Sequence, residues 1–160
     1  MKIIFLTLVR ITSAEQKGNY QDLIRKFRNE GNEIIIVSPT ERRFGETTSL
    51  KVEGNVTLLQ VWTPNIQKTN IFEKSIGTII IEYLYRKAIF KYFSNLSLDL
   101  ILFSTPPITF NGLVTVLKKK TNARTYLLLK DIFPQNAVDL KLMSDKGLIY
   151  RYFKNREEIL

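Results

Sequence analysis

Arg124 to Asp139 reads RTYLLLKDIFPQNAVD, an apolar run halted by a charge and followed by a proline corner. Tyr126 to Leu129 has the length and composition of a strand covered on both faces, as strands of parallel sheets are. Asp131 then falls at the carboxyl end of that strand, the edge where open parallel sheets bind their ligands. Pro134 cannot extend a strand ladder, and Gln135, Asn136 and Asp139 open a helix whose first N–H groups suit an anion or a sugar hydroxyl. The same pattern also fits a strand, a turn and a capped helix with Asp131 in water. The stretch alone leaves both readings open.

Upstream the same alternation recurs. Lys2 to Val9 is a compact apolar run, Arg10 to Gly18 a polar loop, and Asn19 to Glu30 a helix with Asn19 as its expected N-cap. That helix sets Leu23, Ile24 and Phe27 on one face and stops at Gly31. Glu33 to Val37 follows as a strand, which completes a β-α-β unit with parallel strands and a right-handed crossover. Pro39 to Glu53 is expected to be a mobile, irregular loop. Val56 to Trp62 is a third strand, ended by Pro64. Ile71 to Phe93 is the longest helical stretch, Leu98 to Phe103 a fourth strand, and Ser104, Thr105, Pro106 and Pro107 a rigid corner lacking two backbone donors. Thr109 to Lys120 is a helix that gathers Lys118 to Lys120 in its last turn, where cations suit the helix dipole. Gln135 to Leu160 is helical in pattern, with a break near Ser144 to Gly147. The fold class expected is α/β: a Rossmann-like, three-layer αβα sandwich on a mostly parallel sheet, forming one domain over 1–160.

The 160 residues include no cysteine and no histidine, which excludes disulfides, thiolate zinc sites and imidazole catalysis. Any acid or base must be Asp, Glu, Lys or Tyr. The net charge is +9, from 24 Lys and Arg against 15 Asp and Glu, and favours contact with anions. The excess is spread along the chain, with small clusters at Arg42 and Arg43, Arg86 and Lys87, and Lys118 to Lys120. The opening MKIIFLTLV continues into RITSAEQKG without a small-residue cleavage site, so it reads as a strand and points to the cytoplasm. In the long helix, Glu73, Lys74, Glu82, Arg86, Lys87 and Lys91 interrupt any run long enough to span a bilayer. Its interleaved aromatic and basic residues suit packing on a sheet or the interfacial plane of an anionic membrane.

Three loops meet at one sheet edge: Arg10 to Gly18, Ser104 to Pro107, and Asp131 to Gln135. Their convergence argues for a cleft. Gly18 stands alone, without Gly-x-Gly-x-x-Gly, and no Walker loop is present, so neither a dinucleotide site nor a P-loop is supported. Lys17, Gly18 and Asn19 at a helix start are suited to a phosphate.

The runs LLLKDIFPQNAVDL, ILFSTPPITFNG, KIIFLTLVRI, KGNYQDLIRKF and IIIVSPTERR together resemble the N-terminal half of bacterial family 4 glycosyltransferases. The similarity is greatest to members that build capsular, O-antigen or exopolysaccharide repeat units. The resemblance implies a GT-B enzyme in which this domain receives the acceptor. A second domain, with the family's Glu-x7-Glu signature and the nucleotide-sugar site, is absent here. Carried over by position, Lys17, Gly18 and Asn19 form the loop near donor phosphate and acceptor. Ser104, Thr105, Pro134 and Gln135 line the acceptor cleft, and Asp131 is the catalytic-cleft residue that holds the acceptor hydroxyl.

The resemblance further implies a retaining hexosyl transfer from a nucleotide-sugar to a lipid-linked saccharide, with no metal and no cofactor. Its partners would be a donor-binding domain on the same or a second chain and, peripherally, the inner face of the cytoplasmic membrane. RYFKNREEIL at 151–160 reads as a helix in progress, and without the donor-binding half this fragment is expected to be inactive by itself. The alternative is a non-catalytic Rossmann-like module that docks on an anionic membrane or a protein. Nucleic-acid binding is disfavoured, because the aromatics stand at core spacing and not as a stacking platform.

Overall fold

The computed structural model describes residues 1–66, 71–104 and 110–129, with the backbone alone over 71–79, together with 138, 139, 144, 146, 147, 150 and 151. In chain order the elements are β1 (Lys2–Leu6), α1 (Asn19–Asn29), β2 (Glu33–Glu41), β3 (Ser49–Glu53), β4 (Val56–Thr63), α2 (Ile71–Tyr92), β5 (Leu100–Ser104), α3 (Asn111–Thr121) and β6 (Arg124–Leu128). One 3-10 turn, Arg42–Phe44, joins β2 to β3. The six strands form one sheet in the order β3-β4-β2-β1-β5-β6, parallel throughout except for the antiparallel pair of β3 and β4. This is the α/β, Rossmann-like architecture that the alternating pattern predicts.

Strand alternation divides the core in two. Ile3, Phe5, Ile34, Ile36, Val56, Leu58 and Leu102 face α1 and pack with Tyr20 and Ile24. Ile4, Leu6, Ile35, Val37, Leu59, Val61, Ile101 and Phe103 face α2 and α3 and pack with Ile81, Tyr85, Ile89, Leu113 and Leu117. Consecutive residues of β1, β2 and β5 are thus buried on opposite faces, which explains their unbroken apolar runs. The long helix packs on the sheet through Ile81, Tyr85, Ala88 and Ile89, as one of its two readings requires.

Four expectations need correction. Pro39 to Glu53 is not an irregular loop: β2 continues through Pro39 to Glu41, and Ser49–Glu53 adds an antiparallel edge strand. Pro39 costs no ladder bond. The amide of Glu33 donates to Met1 on the β1 side and that of Ile34 to Asn55 on the β4 side, so odd-numbered residues of β2 face β1, which ends at Leu6 before reaching Pro39. Asn19 is the first helical residue and not the cap. Gly18 holds the cap position, and no side chain caps α1. The strand at Arg124–Leu128 is not covered on both faces: among the described residues it is the edge strand beyond β5, and Tyr126 is 59% exposed. Last, α3 begins at Asn111, after the buried Phe110.

Gly31, at φ 80°, ends α1 as read from the sequence, and Lys118, Lys119 and Lys120 do occupy the last turn of α3. That helix ends on Asn122 in the left-handed region, whose amide donates to Lys118. Its other end is served from outside: Phe110 offers no cap, and the Glu82 carboxylate of α2 accepts the Leu113 amide instead. An acidic group there also suits the helix dipole. A bend at Ser144–Gly147, closed by the Gly147 amide on the Ser144 carbonyl, lies where the break was expected. The remainder of Gln135 to Leu160 lies outside the described residues, apart from helical positions at Val138, Asp139, Tyr150 and Arg151.

Candidate functional site at the carboxyl edge

The carboxyl edge of the sheet is stepped. β1 pairs Leu6 with Val37 and Phe103, whereas β2 and β4 run on side by side to Glu41 and Thr63. Four further residues of β2 rise about 13 Å above the end of β1 at strand spacing. β1 and β5 therefore make a floor, and β2 with β4 make a wall beside it. The step coincides with the point where the strand order reverses, since β1 leads outward to β2 and β5 lies on its other side. Ligands of doubly wound sheets bind at such a reversal.

Hydroxyl groups line this region, and most are satisfied internally. On the floor, the Thr7 hydroxyl accepts the Val9 amide at 3.1 Å and the Ser104 hydroxyl at 3.3 Å, while the Thr7 carbonyl accepts the Tyr85 phenol at 2.8 Å. All three side chains are buried, and burial pushes the Tyr85 phenol well above its ordinary range. On the wall, Ser38 donates to the Ile11 carbonyl at 3.1 Å, which ties the loop after β1 to β2. Thr63, opposite Glu41 in the ladder, buries a hydroxyl with no partner among the described residues.

Charge is gathered at the wall's top around Phe44. Arg10, from the loop after β1, donates from Nη2 to both carboxylate oxygens of Glu46, at 2.7 and 2.8 Å. Thr40 donates to the same carboxylate at 2.7 Å. Arg10 and then Thr40 hold the Glu46 carboxyl below the usual carboxylate range. The Arg10 guanidinium lies 4.1 Å from the Phe44 ring centre and that of Arg43 lies 5.1 Å from it. On the α2 side, the buried Glu41 accepts Arg43 at 3.0 Å and the Ile66 amide at 3.1 Å.

The loop itself is held at several further points. Glu53 accepts the Ser13 hydroxyl at 3.2 Å and the Ala14 amide at 3.4 Å, and its carboxyl is held low by Lys51 first, then by Ala14 and Ser13. Arg25 of α1 donates to the carbonyls of Ala14 and Gln16, both at 2.8 Å, and Arg28 pairs with Glu15. The turn at Lys17, Gly18 and Asn19 is presented by this scaffold at the start of α1, with Lys17 and Asn19 exposed. Gly18 has φ 157° and ψ 153°, and a Cβ there would run into the Gln21 side chain.

The structure therefore places Lys17, Gly18, Asn19 and Ser104 on one edge without joining them. Ser104 is 1% exposed and bound to Thr7, beneath the floor, and among the described residues it has no bond to the Lys17–Asn19 turn. Thr105, Asp131, Pro134 and Gln135 lie outside the described residues. Sequence reading noted Arg10 only as the start of a loop and Arg43 only in a basic pair, and it missed Thr40, Glu41, Phe44 and Glu46. The density of charge from Glu41 to Glu46 was the local hint of a cluster there. Among the described residues no three carboxylates gather to hold a metal ion.

No protein-family model matches the chain, and no curated protein matches it. A solved structure described as "Trehalose-6-phosphate from E. coli bound with UDP-2-fluoro glucose" is similar in shape, with a TM-score of 0.55 over 79% of this chain. The fold is Rossmann-like. Identity to that neighbour is 9%, so the likeness concerns architecture and not chemistry. The chain spans 32% of the neighbour's length. No helix among the described residues is long and apolar enough to cross a membrane.

Proposed function

We propose that this chain is the acceptor-side, N-terminal Rossmann-like domain of a glycosyltransferase. In this reading a retaining hexosyl transfer runs from a nucleotide-sugar to a lipid-linked saccharide in surface polysaccharide assembly. The observation that carries it is the stepped carboxyl edge in a GT-B-like fold whose solved neighbour is bound with a UDP-sugar analogue. The family resemblance of the sequence supports the same reading, down to the family 4, capsule or O-antigen type. A donor-binding domain, in the same or a second chain, would close the cleft.

Within that cleft the chain's own groups have distinct tasks. Lys17, exposed at the start of α1, supplies positive charge to a diphosphate leaving group, and the Gly18 turn lets its backbone approach closely. Asp131, with Thr105, Pro134 and Gln135, holds the acceptor and its hydroxyl. Ser104 acts from below, fixing the β5 end to β1 through Thr7. The transfer needs no metal in this reading, because fixed cations and N–H dipoles meet the charge of the departing nucleotide diphosphate.

The test is sugar transfer by the chain together with its donor-binding half, using UDP- and GDP-sugars and lipid-linked saccharides, with Asp131→Asn beside it. Transfer with at least a hundred-fold drop in the variant, at unchanged folding, is the result expected. Unchanged turnover in Asp131→Asn removes Asp131 from the cleft, and no transfer with any donor returns the chain to a binding module.

A further inference from the structure

One margin of the sheet is left open by β3. The amide of Ile34 in β2 donates to the Asn55 carbonyl, and the amide of Trp62 donates to the Thr48 hydroxyl at 2.9 Å. Odd-numbered residues of β4 therefore turn their peptide groups toward β2, and even-numbered ones toward β3. Ser49, Lys51 and Glu53 stand opposite Gln60, Leu58 and Val56, so their own peptide groups face β4. Leu50 and Val52 stand opposite Leu59 and Thr57, and their N–H and C=O groups point away from the sheet. No strand lies beyond β3 among the described residues.

The side chains of this margin are sorted by the same alternation. Leu50 and Val52, 39% and 65% exposed, stand on the α2 side of the sheet with Leu59. Lys51 and Glu53 stand on the α1 side with Leu58 and Val56. Edge strands are commonly kept from pairing by being short or by carrying an unpaired lysine. β3 has only five residues, but the charge of its Lys51 is compensated by Glu53 at 2.6 Å. The apolar residues of the strand are thus also the ones whose peptide groups are open.

We propose that β3 pairs with β3 of a second copy of this chain, antiparallel about a two-fold axis through Lys51. In that register Leu50 of each copy falls opposite Val52 of the other, so the open peptide groups of one strand meet those of its copy. The same pairs bring four apolar side chains together on the α2 side. On the α1 side Lys51 meets its own copy, an unfavourable pair by itself. Glu53 of each copy lies on the diagonal to that pair, so two lysines and two carboxylates close a neutral cluster. Moving the axis to Leu50 would set Val52 against Thr48, and moving it to Val52 would set Leu50 against Gly54. Either shift breaks the apolar match. An acidic strand from another protein would find at β3 a single lysine that is already paired, whereas an identical strand matches both faces. The contact is small, so the dimer is weak, with a Kd of about 0.1–1 mM. The two chains each carry +9 and repel, so salt strengthens it. The proposal does not rest on the transferase reading, because association is scored without any sugar substrate.

The test is sedimentation equilibrium of the 160-residue chain from about 10 µM to about 1 mM, which should pass from monomer toward dimer, more fully at about 0.5 M salt than at about 0.05 M. Val52→Pro removes an outward N–H and leaves the β4 ladder intact, as Pro39 does on β2, and should weaken association by at least about ten-fold. Val52→Asp changes only an exposed side chain and should do the same with the fold unchanged. Because the chain has no cysteine, Lys51→Cys introduces a single thiol at the axis, which a copper–phenanthroline oxidant should join to its copy. Ser49→Cys, whose copy lies about 13 Å away along the strands, should stay unjoined. A chain that remains monomeric at about 1 mM overturns the proposal and leaves the edge to another occupant. So does association unchanged by both Val52 variants, absence of the cross-link at Lys51, or an equal cross-link at Ser49.

Discussion

Tyr85→Phe tests the floor of the cleft with a change of one oxygen atom. The phenol is fully buried and donates at 2.8 Å to the carbonyl of Thr7, which also shares its side chain with Ser104. Removing the hydroxyl leaves that carbonyl without this donor, at a cost of about 1–3 kcal/mol near neutral pH. In a domain of this size that lowers Tm by about 2–4 °C per kcal/mol. The pH dependence has the opposite sign. Burial raises the phenol above its ordinary value of 10.0, so above that pH the unfolded chain releases a proton that the folded chain keeps. Wild-type stability then falls by about 1.4 kcal/mol per pH unit for this one group, and the Phe variant has no such loss. A deficit of about 1.4 kcal/mol at pH 7 is thus erased at about pH 11. Urea denaturation of both proteins from about pH 7 to about pH 11.5, followed by circular dichroism, reads this out, and other titrating groups cancel in the difference. Parallel curves across the whole range would refute a buried phenol, and equal stability at pH 7 would refute the bond to Thr7.

Two further changes probe the frame around the site. Gly18→Ala puts a Cβ against Gln21 at a φ of 157° and should destabilise by about 1–3 kcal/mol in urea denaturation. Gly18→Ala combined with Gln21→Ala should recover only the part due to collision. Glu82→Ala removes the carboxylate that accepts the Leu113 amide, which should lower stability by about 1 kcal/mol and speed amide exchange at the start of α3. Unchanged exchange there would show that α3 does not depend on α2 for its cap.

The β-α-β grammar was legible because each of β1, β2, β4 and β5 is an apolar run bounded by Gly, Pro or a polar loop, and because α1 carries a clear apolar stripe, although the apolar residues of α2 are spread around the helix. The step in the edge was not. Pro39 looks like a strand terminator, and only the early end of β1 makes it harmless. SLKVE alternates polar and apolar residues but is only five long and closes a polar stretch, so β3 escaped notice until it paired with β4. The exposure of β6 depends on its place in the sheet order, which local composition does not encode. Within the candidate site, the Lys17–Asn19 turn and Ser104 could be placed from the sequence as neighbours of strand ends. Arg10 and Glu46 stand 36 positions apart, and no local pattern joins residues across such a distance.

The extension of β2 and β4 beyond β1 changes what a visiting molecule would meet. A wall made of ordered ladder is already still before anything arrives, so contact with it requires no loss of backbone entropy, unlike contact with a loop that must first be arrested. The amides of Thr40 and Thr63 should accordingly exchange as slowly as those of the central strands, although they stand at the rim. Among β1, β2, β4 and β5 the wall stands on one side of the floor alone, and that asymmetry is set by strand length.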